Sequence, residues 1–236
     1  MDRLGSTRLY LLVLLAAVTA LTGCADGPVP YLVSLNPKRR QQWEADEMYQ
    51  PTLHRQLAEV EALREGAVAM SADQQRHWSG ELQHIIETHD NALLRGAAVD
   101  TLAKFTVTES KEGLRIALKD SDSTVRRAAC SAWGQQGDRE AVERLSETLG
   151  SDTDPDVRIS AARELGRFRD PVAYQALGLA LEDADPALRY RSIESLKRSS
   201  GKNYGNDLKA WQTFAQGQDA GPEYVPSLAE RFHEIF

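Results

Sequence analysis

A repeat of 31 or 32 residues constrains the fold of this chain more than any other feature of its sequence. Each of four arginines has a small residue three positions after it and a large apolar residue seven positions after it. An apolar residue precedes the arginine each time, at Leu94-Arg95, Val125-Arg126, Val157-Arg158 and Leu188-Arg189. Spacing that is kept over four units indicates a solenoid, in which each unit buries its apolar face against its neighbours.

Each unit is predicted to contain two helices. In the third unit Asp154 and Pro155 start a helix, because aspartate caps free backbone amides and proline is tolerated in the first turn. Val157, Ala161 and Leu165 follow at four-residue spacing and form one apolar stripe. A second apolar helix comes next. Neither helix can bury its stripe alone, so we predict that stacking of the units supplies the core.

A glycine follows the first helix in two of the units. Gly134 and Gly166 are each predicted to close that helix in the left-handed backbone conformation. Glycine adopts this conformation at little cost because it has no Cβ atom.

The motif D-x-x-V-R-x-x-A-x-x-x-L-G, followed by a second apolar helix, resembles the short bacterial HEAT repeats, a class also found in phycobilisome lyases. Residues 154–166 are its closest copy and residues 122–134 the next, whereas the fourth unit has Ser192 for alanine and Lys197 for glycine. The resemblance covers about residues 90–200. It implies an all-α fold, a right-handed α-α superhelix. For function it implies a binding scaffold, because HEAT arrays are mostly scaffolds.

In such repeats the arginine of the V-R step commonly pairs with an aspartate of a neighbouring turn. The resemblance therefore implies a structural ladder. Aspartates recur in register four and six positions before the arginines, which favours this interpretation. The alternative is that the arginines face a groove and hold an anionic ligand. The predicted members of the ladder are Asp122, Arg126, Asp154, Arg158, Asp185 and Arg189.

The first 23 residues have the pattern of a signal peptide. Arg3 and Arg8 give a positive start, and residues 9–21 are apolar at all but two positions. As a helix this stretch reaches about 20 Å, short of the ~30 Å thickness of the hydrocarbon layer. A signal-peptide core therefore fits better than a transmembrane helix.

The sequence Leu21-Thr22-Gly23-Cys24 resembles the bacterial lipobox, an apolar residue and two small residues before a cysteine that becomes lipidated. The resemblance implies that residues 1–23 are removed and that Cys24 carries an acyl and diacylglycerol modification. Such chains would hold the protein at the cell membrane or the outer membrane, facing the periplasm. The alternative is a chance cysteine after an ordinary signal peptide or membrane anchor. We expect no other cofactor.

The rest of the chain divides by composition. Residues 24–42 form the lipidated cysteine and a proline-containing linker, and residues 43–89 are predicted to form a helical hairpin that caps the array. Residues 90–200 hold about four HEAT-like units, and residues 201–236 form a C-terminal capping segment.

Particular residues support the predicted hairpin and the predicted C-terminal capping segment. Ser71 and Gln74 form a capping box at the start of the second hairpin helix, whose predicted apolar face comprises Trp78, Leu82, Ile85 and His89. The capping segment ends in a predicted helix that starts at Pro226. It has two possible roles, an end cap over the terminal repeat or an apolar handle for a partner. The residues sharing its apolar face are Leu228, Phe232 and Ile235.

Several kinds of chemistry are disfavoured. The chain has 28 lysines and arginines against 35 aspartates and glutamates, with no basic block, so nucleic acid is not an expected partner. No phosphate loop, nucleophile elbow or zinc-protease motif occurs, so we predict no catalytic residue. No metal site is predicted, because His77, His84 and His89 lack one-turn spacing. Cys130 is predicted to be buried and inert, and the four tryptophans to anchor the core or the cap.

These observations favour a non-catalytic, membrane-anchored scaffold that binds another protein of the cell envelope. The alternative, by analogy with the lyases that share such repeats, is a protein that handles a ligand or chromophore, or a lyase-like enzyme. That alternative requires a lined groove in which Arg158, His84 or Cys130 would have to converge. Fold alone does not decide between the two.

Overall fold

The computed structural model describes residues 51–225, which form helices joined by short turns and contain no β-strand. The prediction of an all-α solenoid is confirmed. The signal peptide, Cys24, the linker and the predicted helix after Pro226 lie outside the described residues. The helices are α1 (Leu53–Gly66), α2 (Ala72–Thr88), α3 (Ala92–Leu102), α4 (Ser110–Ala117), α5 (Ser123–Gln136), α6 (Arg139–Ser151), α7 (Pro155–Leu165), α8 (Pro171–Ala180), α9 (Pro186–Ser200) and α10 (Leu208–Ala215).

The described residues from Leu57 onwards belong to one compact unit of the chain, which contains all of the repeats. Within it the helices alternate between two layers. The first helices of successive repeats, α3, α5, α7 and α9, pack against one another in chain order. In the other layer α2 packs on α4, α6 on α8, and α8 on α10. Each repeat therefore contacts its neighbours, as stacking requires.

The predicted apolar stripe lies between the layers. Val157, Ala161 and Leu165 of α7 are completely buried, and Trp133 of α5 is buried at the position equivalent to Leu165. The indole N–H of Trp133 donates a hydrogen bond to the carbonyl oxygen of Leu114 at 3.3 Å, which satisfies its one polar atom. The core is therefore continuous from repeat to repeat.

Side-chain caps start the helices of the array, except α4. Asp154 accepts a hydrogen bond from the backbone N–H of Asp156, and Pro155 is the first residue of α7. These caps satisfy amides that have no partner within the helix. The same role is played at the other first helices by Asn91, Asp122 and Asp185, and at second helices by Asp138, Asp170 and Asp207.

The two motif glycines have a different role from the predicted one. Gly134 lies within α5, and Gly166 has a right-handed backbone with φ −62°. The left-handed glycine that ends α5 is Gly137, with φ 73°. A Cβ atom on Gly166 would lie 2.8 Å from the Cα atom of Ser195 in α9. The prediction was wrong because these positions need glycine for the close approach of the next helix, and not for a positive φ.

Helix α2, which was predicted to be the second helix of a hairpin, buries a face that is shifted from the predicted one. Its capping box, formed by Ser71 and Gln74, is confirmed. Its buried residues, however, include the polar Gln75. The Gln75 side chain donates to the carbonyl oxygen of Ala67 at 3.2 Å and accepts from the backbone N–H of Thr106 at 2.8 Å. The four buried residues of α2 are Gln75, Ser79, Leu82 and Ile86, whereas Trp78, Ile85 and His89 are partly exposed.

Candidate interaction surface

Three ion pairs connect the starts of α3, α5 and α7 to the turn that begins the next repeat. Arg126 donates from Nε and Nη2 to the two carboxylate oxygens of Asp152, at 2.8 and 3.0 Å. Arg95 makes the same two-point contact with Asp120, and Arg158 contacts Asp183 through Nη2. Each pair joins residues of consecutive repeats, so the arginines fix the offset between neighbours.

The aspartates of the predicted ladder are not the partners of these arginines. Asp122, Asp154 and Asp185 cap the helices that carry the arginines. Each of these carboxylates accepts backbone N–H groups of its own helix, and no ion pair joins it to the arginine of the preceding repeat within the described residues. The partner is instead the aspartate two positions earlier in the next repeat. Arg189, in the last described repeat, donates to the carbonyl oxygens of Asp183 and Ala184.

The ion pairs leave little room for an anionic ligand. Nη1 of Arg126 donates to the carbonyl oxygen of Asp120 at 2.9 Å, so both sides of its guanidinium are occupied. Burial acts to raise the pKa of Asp120, but the hydrogen bond from Arg95, the hydrogen bond from the backbone N–H of Asp122 and the charge of Arg95 together lower this pKa below its ordinary value. These arginines therefore serve the packing of the array.

The outer face of α8 is unusual because it exposes large apolar side chains. Val172 and Leu179 are 45% and 74% exposed, and Ala176 lies between them. Their spacing of four and three residues places all three on one side of the helix. We call these three residues the α8 stripe. An exposed apolar stripe of this kind is typical of a contact surface.

Two cavities flank the α8 stripe. The larger, about 580 Å³, lies between α6 and α8 and is lined by Leu149 and Ser146 among others. The smaller, about 240 Å³, lies between α8 and α10 beside Gly178. Leu179 lines both cavities and therefore forms the ridge between them. The Ser146 hydroxyl is buried and has no hydrogen-bond partner within the described part of the chain.

The preceding repeat carries charges where α8 is apolar. Counted from the capping aspartates Asp138 and Asp170, the residues of α6 that correspond to the α8 stripe are Glu140, Arg144 and Glu147. Glu140 pairs with Arg115 of α4 at 2.7 Å, and Arg144 pairs with Glu147 at 3.3 Å. Helix α8 thus has apolar side chains at the positions where α6 has ion-paired charges. Comparison of the repeats in the sequence would have revealed this difference.

A family model for HEAT repeats matches residues 79–162, 112–197 and 145–211, three overlapping spans that together cover more than half of the chain. The chain belongs to the HEAT-repeat family. No curated protein matches it at a significant level. Within residues 51–225, no helix is both long and apolar enough to cross a membrane.

The HEAT repeats do not bring together Arg158, His84 and Cys130, the residues considered for the alternative, ligand-handling function. Arg158 pairs with Asp183, and the cavity beside it is lined by neither His84 nor Cys130. His84 is exposed on α2, and Cys130 is completely buried in α5. No cluster of metal-ligating side chains occurs among residues 51–225.

Burial makes the Cys130 thiol a poor nucleophile, because it raises the thiol pKa to about 12. We expect Cys130 of the folded protein, in a Cys24→Ser chain, to resist alkylation by iodoacetamide at pH 8. Denaturation in urea should expose the thiol and allow rapid reaction. Mass spectrometry after timed alkylation measures both rates. Rapid modification of Cys130 in the native protein would contradict its placement in the core.

Aromatic side chains hold the end of the described array together. Trp211 of α10 is buried, and its indole N–H donates to the carbonyl oxygen of Gly205 at 3.0 Å. Its ring meets Tyr204 edge-on, and Phe214 contacts Tyr174 of α8 with ring centroids 5.3 Å apart. Trp133 and Trp211 are therefore core residues, Trp78 is partly exposed, and Trp43 lies outside the described residues.

Proposed function

We propose that this HEAT-repeat protein is a non-catalytic scaffold that binds another protein through the α8 stripe and the two cavities beside it. The observation that carries the proposal is the exposed ridge of Leu179 between two grooves, at a place where the neighbouring repeat is charged. A partner that places apolar side chains in these grooves would remove the α8 stripe from water.

The chemistry of the surface defines the contact that we propose. Leu149, Val172 and Ala180 give the larger cavity apolar walls. The proposed partner therefore presents an apolar helix face.

Leu179→Glu tests this function. The substitution places a charge on the ridge, and we expect it to weaken partner binding by about tenfold or more, as at the centre of other interfaces. Leu93→Glu is the matched control, because Leu93 is 67% exposed on α3, away from α8. The measurement is crosslinked affinity capture with the full chain from detergent-solubilised membranes.

The two variants make the outcome decisive. Proteins recovered with the wild-type chain and with Leu93→Glu, but depleted with Leu179→Glu, are the expected result. Equal recovery with both variants would place binding elsewhere. Failure to recover any protein, under several crosslinking conditions, would count against the scaffold function itself.

We further propose that the protein is lipidated on Cys24 and held at the cell membrane or the outer membrane, facing the periplasm. The support is the lipobox-like sequence Leu21-Thr22-Gly23-Cys24 after an apolar stretch of signal-peptide length. Cys24→Ser should abolish incorporation of radiolabelled palmitate and release the protein from the membrane fraction. If the wild-type chain takes up no label and the variant stays equally membrane-bound, this part of the proposal is wrong.

A further inference from the structure

We infer that the α8 stripe is covered by residues 226–236 of the same chain when no partner protein is bound. The inference rests on the proposed function, because it concerns the same surface and gives its occupant a definite chemistry: a short amphipathic helix with large apolar side chains. A partner protein would then bind by displacing this segment.

The described chain ends close to the place where the segment would bind. The backbone N–H of Tyr224 donates to the carbonyl oxygen of Asn203 at 2.7 Å, and Glu223 pairs with Lys202 at 2.7 Å. The Tyr224 ring lies against Gly205, where a Cβ atom would be 3.1 Å from it. These contacts fix the chain on the turn between α9 and α10, and α10 packs directly on α8.

The segment is long enough to run along α8. Its eleven residues reach at most about 36 Å when extended and about 16 Å as a helix. Helix α8 has 10 residues and is therefore about 15 Å long. The segment is therefore at least as long as the helix that it would cover.

The apolar residues of the segment have the same spacing as the α8 stripe. Leu228, Phe232 and Ile235 are separated by four and three residues, as the three residues of the stripe are. In helical form they therefore share one face. The charges between them, on Glu230, Arg231 and Glu234, nearly cancel, so apolar burial is the main attraction that the segment offers.

The open side of α9, the other place that the segment could cover, carries a charge. Lys197 is exposed there, at the position equivalent to Gly134 and Gly166, the glycines that admit the next repeat. A charged face that already meets water needs no apolar cover. The geometry therefore favours α8 over the end of the array.

Disulfide trapping in the full chain tests the inference. The Cys24→Ser chain with Leu179→Cys and Phe232→Cys should form an intramolecular disulfide on mild oxidation, and a chain with Leu93→Cys and Phe232→Cys should not. Cys130 does not interfere, because it is completely buried. Peptide mapping under non-reducing conditions identifies the bond. No bond at position 179, equal bonds at 93 and 179, or disulfide-linked dimers would each overturn the inference, and dimers would show a second copy as the occupant.

A second measurement does not depend on forming a bond. Maleimide labelling of the Leu179→Cys thiol should accelerate by about tenfold when Phe232→Asp is added, because exposure controls thiol access. Labelling of Leu93→Cys should not change. An unchanged rate at position 179 overturns the inference. Both measurements use purified protein without a partner, so their failure is distinguishable from failure of the capture experiment.

Discussion

Arg126→Ala should lower the free energy of unfolding by about 2–4 kcal/mol, because it leaves the carboxylate of Asp152 buried without its cation. The Arg126 and Asp152 side chains are only 13% and 8% exposed, and two hydrogen bonds join them. The same change also frees the carbonyl oxygen of Asp120, which accepts from Nη1 of Arg126. Urea denaturation of the purified Cys24→Ser chain measures the loss.

Arg139→Ala is the matched control for this prediction. Arg139 pairs with Glu143 on the surface of α6, but its side chain is 88% exposed. An exposed pair of this kind contributes about 0–1 kcal/mol, so the control should be close to the wild-type protein. The double variant Arg126→Ala with Asp152→Ala should lose less than the sum of the two single changes. Equal effects of Arg126→Ala and Arg139→Ala would contradict a structural role for the buried pairs.

Gly166→Ala should destabilise the protein by about 1–3 kcal/mol, as overpacking does in well-packed cores. The backbone of Gly166, with φ −62°, suits alanine, so the loss comes from space alone. A Cβ atom there would meet the Cα and Cβ atoms of Ser195, both at 2.8 Å, and backbone atoms of α9 can yield only if the helix moves. The expected structural effect is a wider separation of α7 and α9.

Gly80→Ala should have the opposite effect on the free energy of unfolding. Gly80 lies within α2, and an added Cβ atom would meet nothing within 4 Å. Alanine in an open helix interior is favoured over glycine by about 0.5–1 kcal/mol, so this variant should be more stable than the wild-type protein. Thermal and urea unfolding of the two variants side by side measure the difference. If Gly166→Ala also stabilises the protein, the packing between repeats is looser than described.

The repeat fold was predictable because its signals are local and recur. Val157, Ala161 and Leu165 showed the buried stripe, and Asp154 with Pro155 showed where α7 begins. Each of these features depends on a few neighbouring residues, and repetition over four units separates them from chance. The boundaries of the sequence segments 1–23, 24–42, 43–89, 90–200 and 201–236 stay predictions.

The finer assignments failed where one residue type serves two physical purposes. Asp154 and Asp152 stand in the same acidic turn, and the sequence does not tell which carboxylate caps a helix and which meets Arg126. Gly166 follows a helix, where glycine suits either a left-handed cap or the close approach of a neighbour. Only the position of the adjacent repeat decides between these roles.

The α8 stripe was missed for a related reason. Val172 and Leu179 fit the helical periodicity of a core residue, and periodicity does not show whether another helix covers them. Alignment of α6 with α8 contains the signal, because Glu140 and Glu147 become Val172 and Leu179. In an array whose repeats share one core, differences at exposed positions are the better guide to function.

Site-specific photocrosslinking from position 179 in intact membranes tests the central claim most directly. The protein carrying a photoreactive residue in place of Leu179 should form a discrete adduct with another protein, and the same residue in place of Leu93 should not. Mass spectrometry of the adduct identifies the partner and the helix that contacts α8. Crosslinks confined to residues of the same chain, or equal adducts from both positions, would contradict a protein-binding role for the α8 stripe.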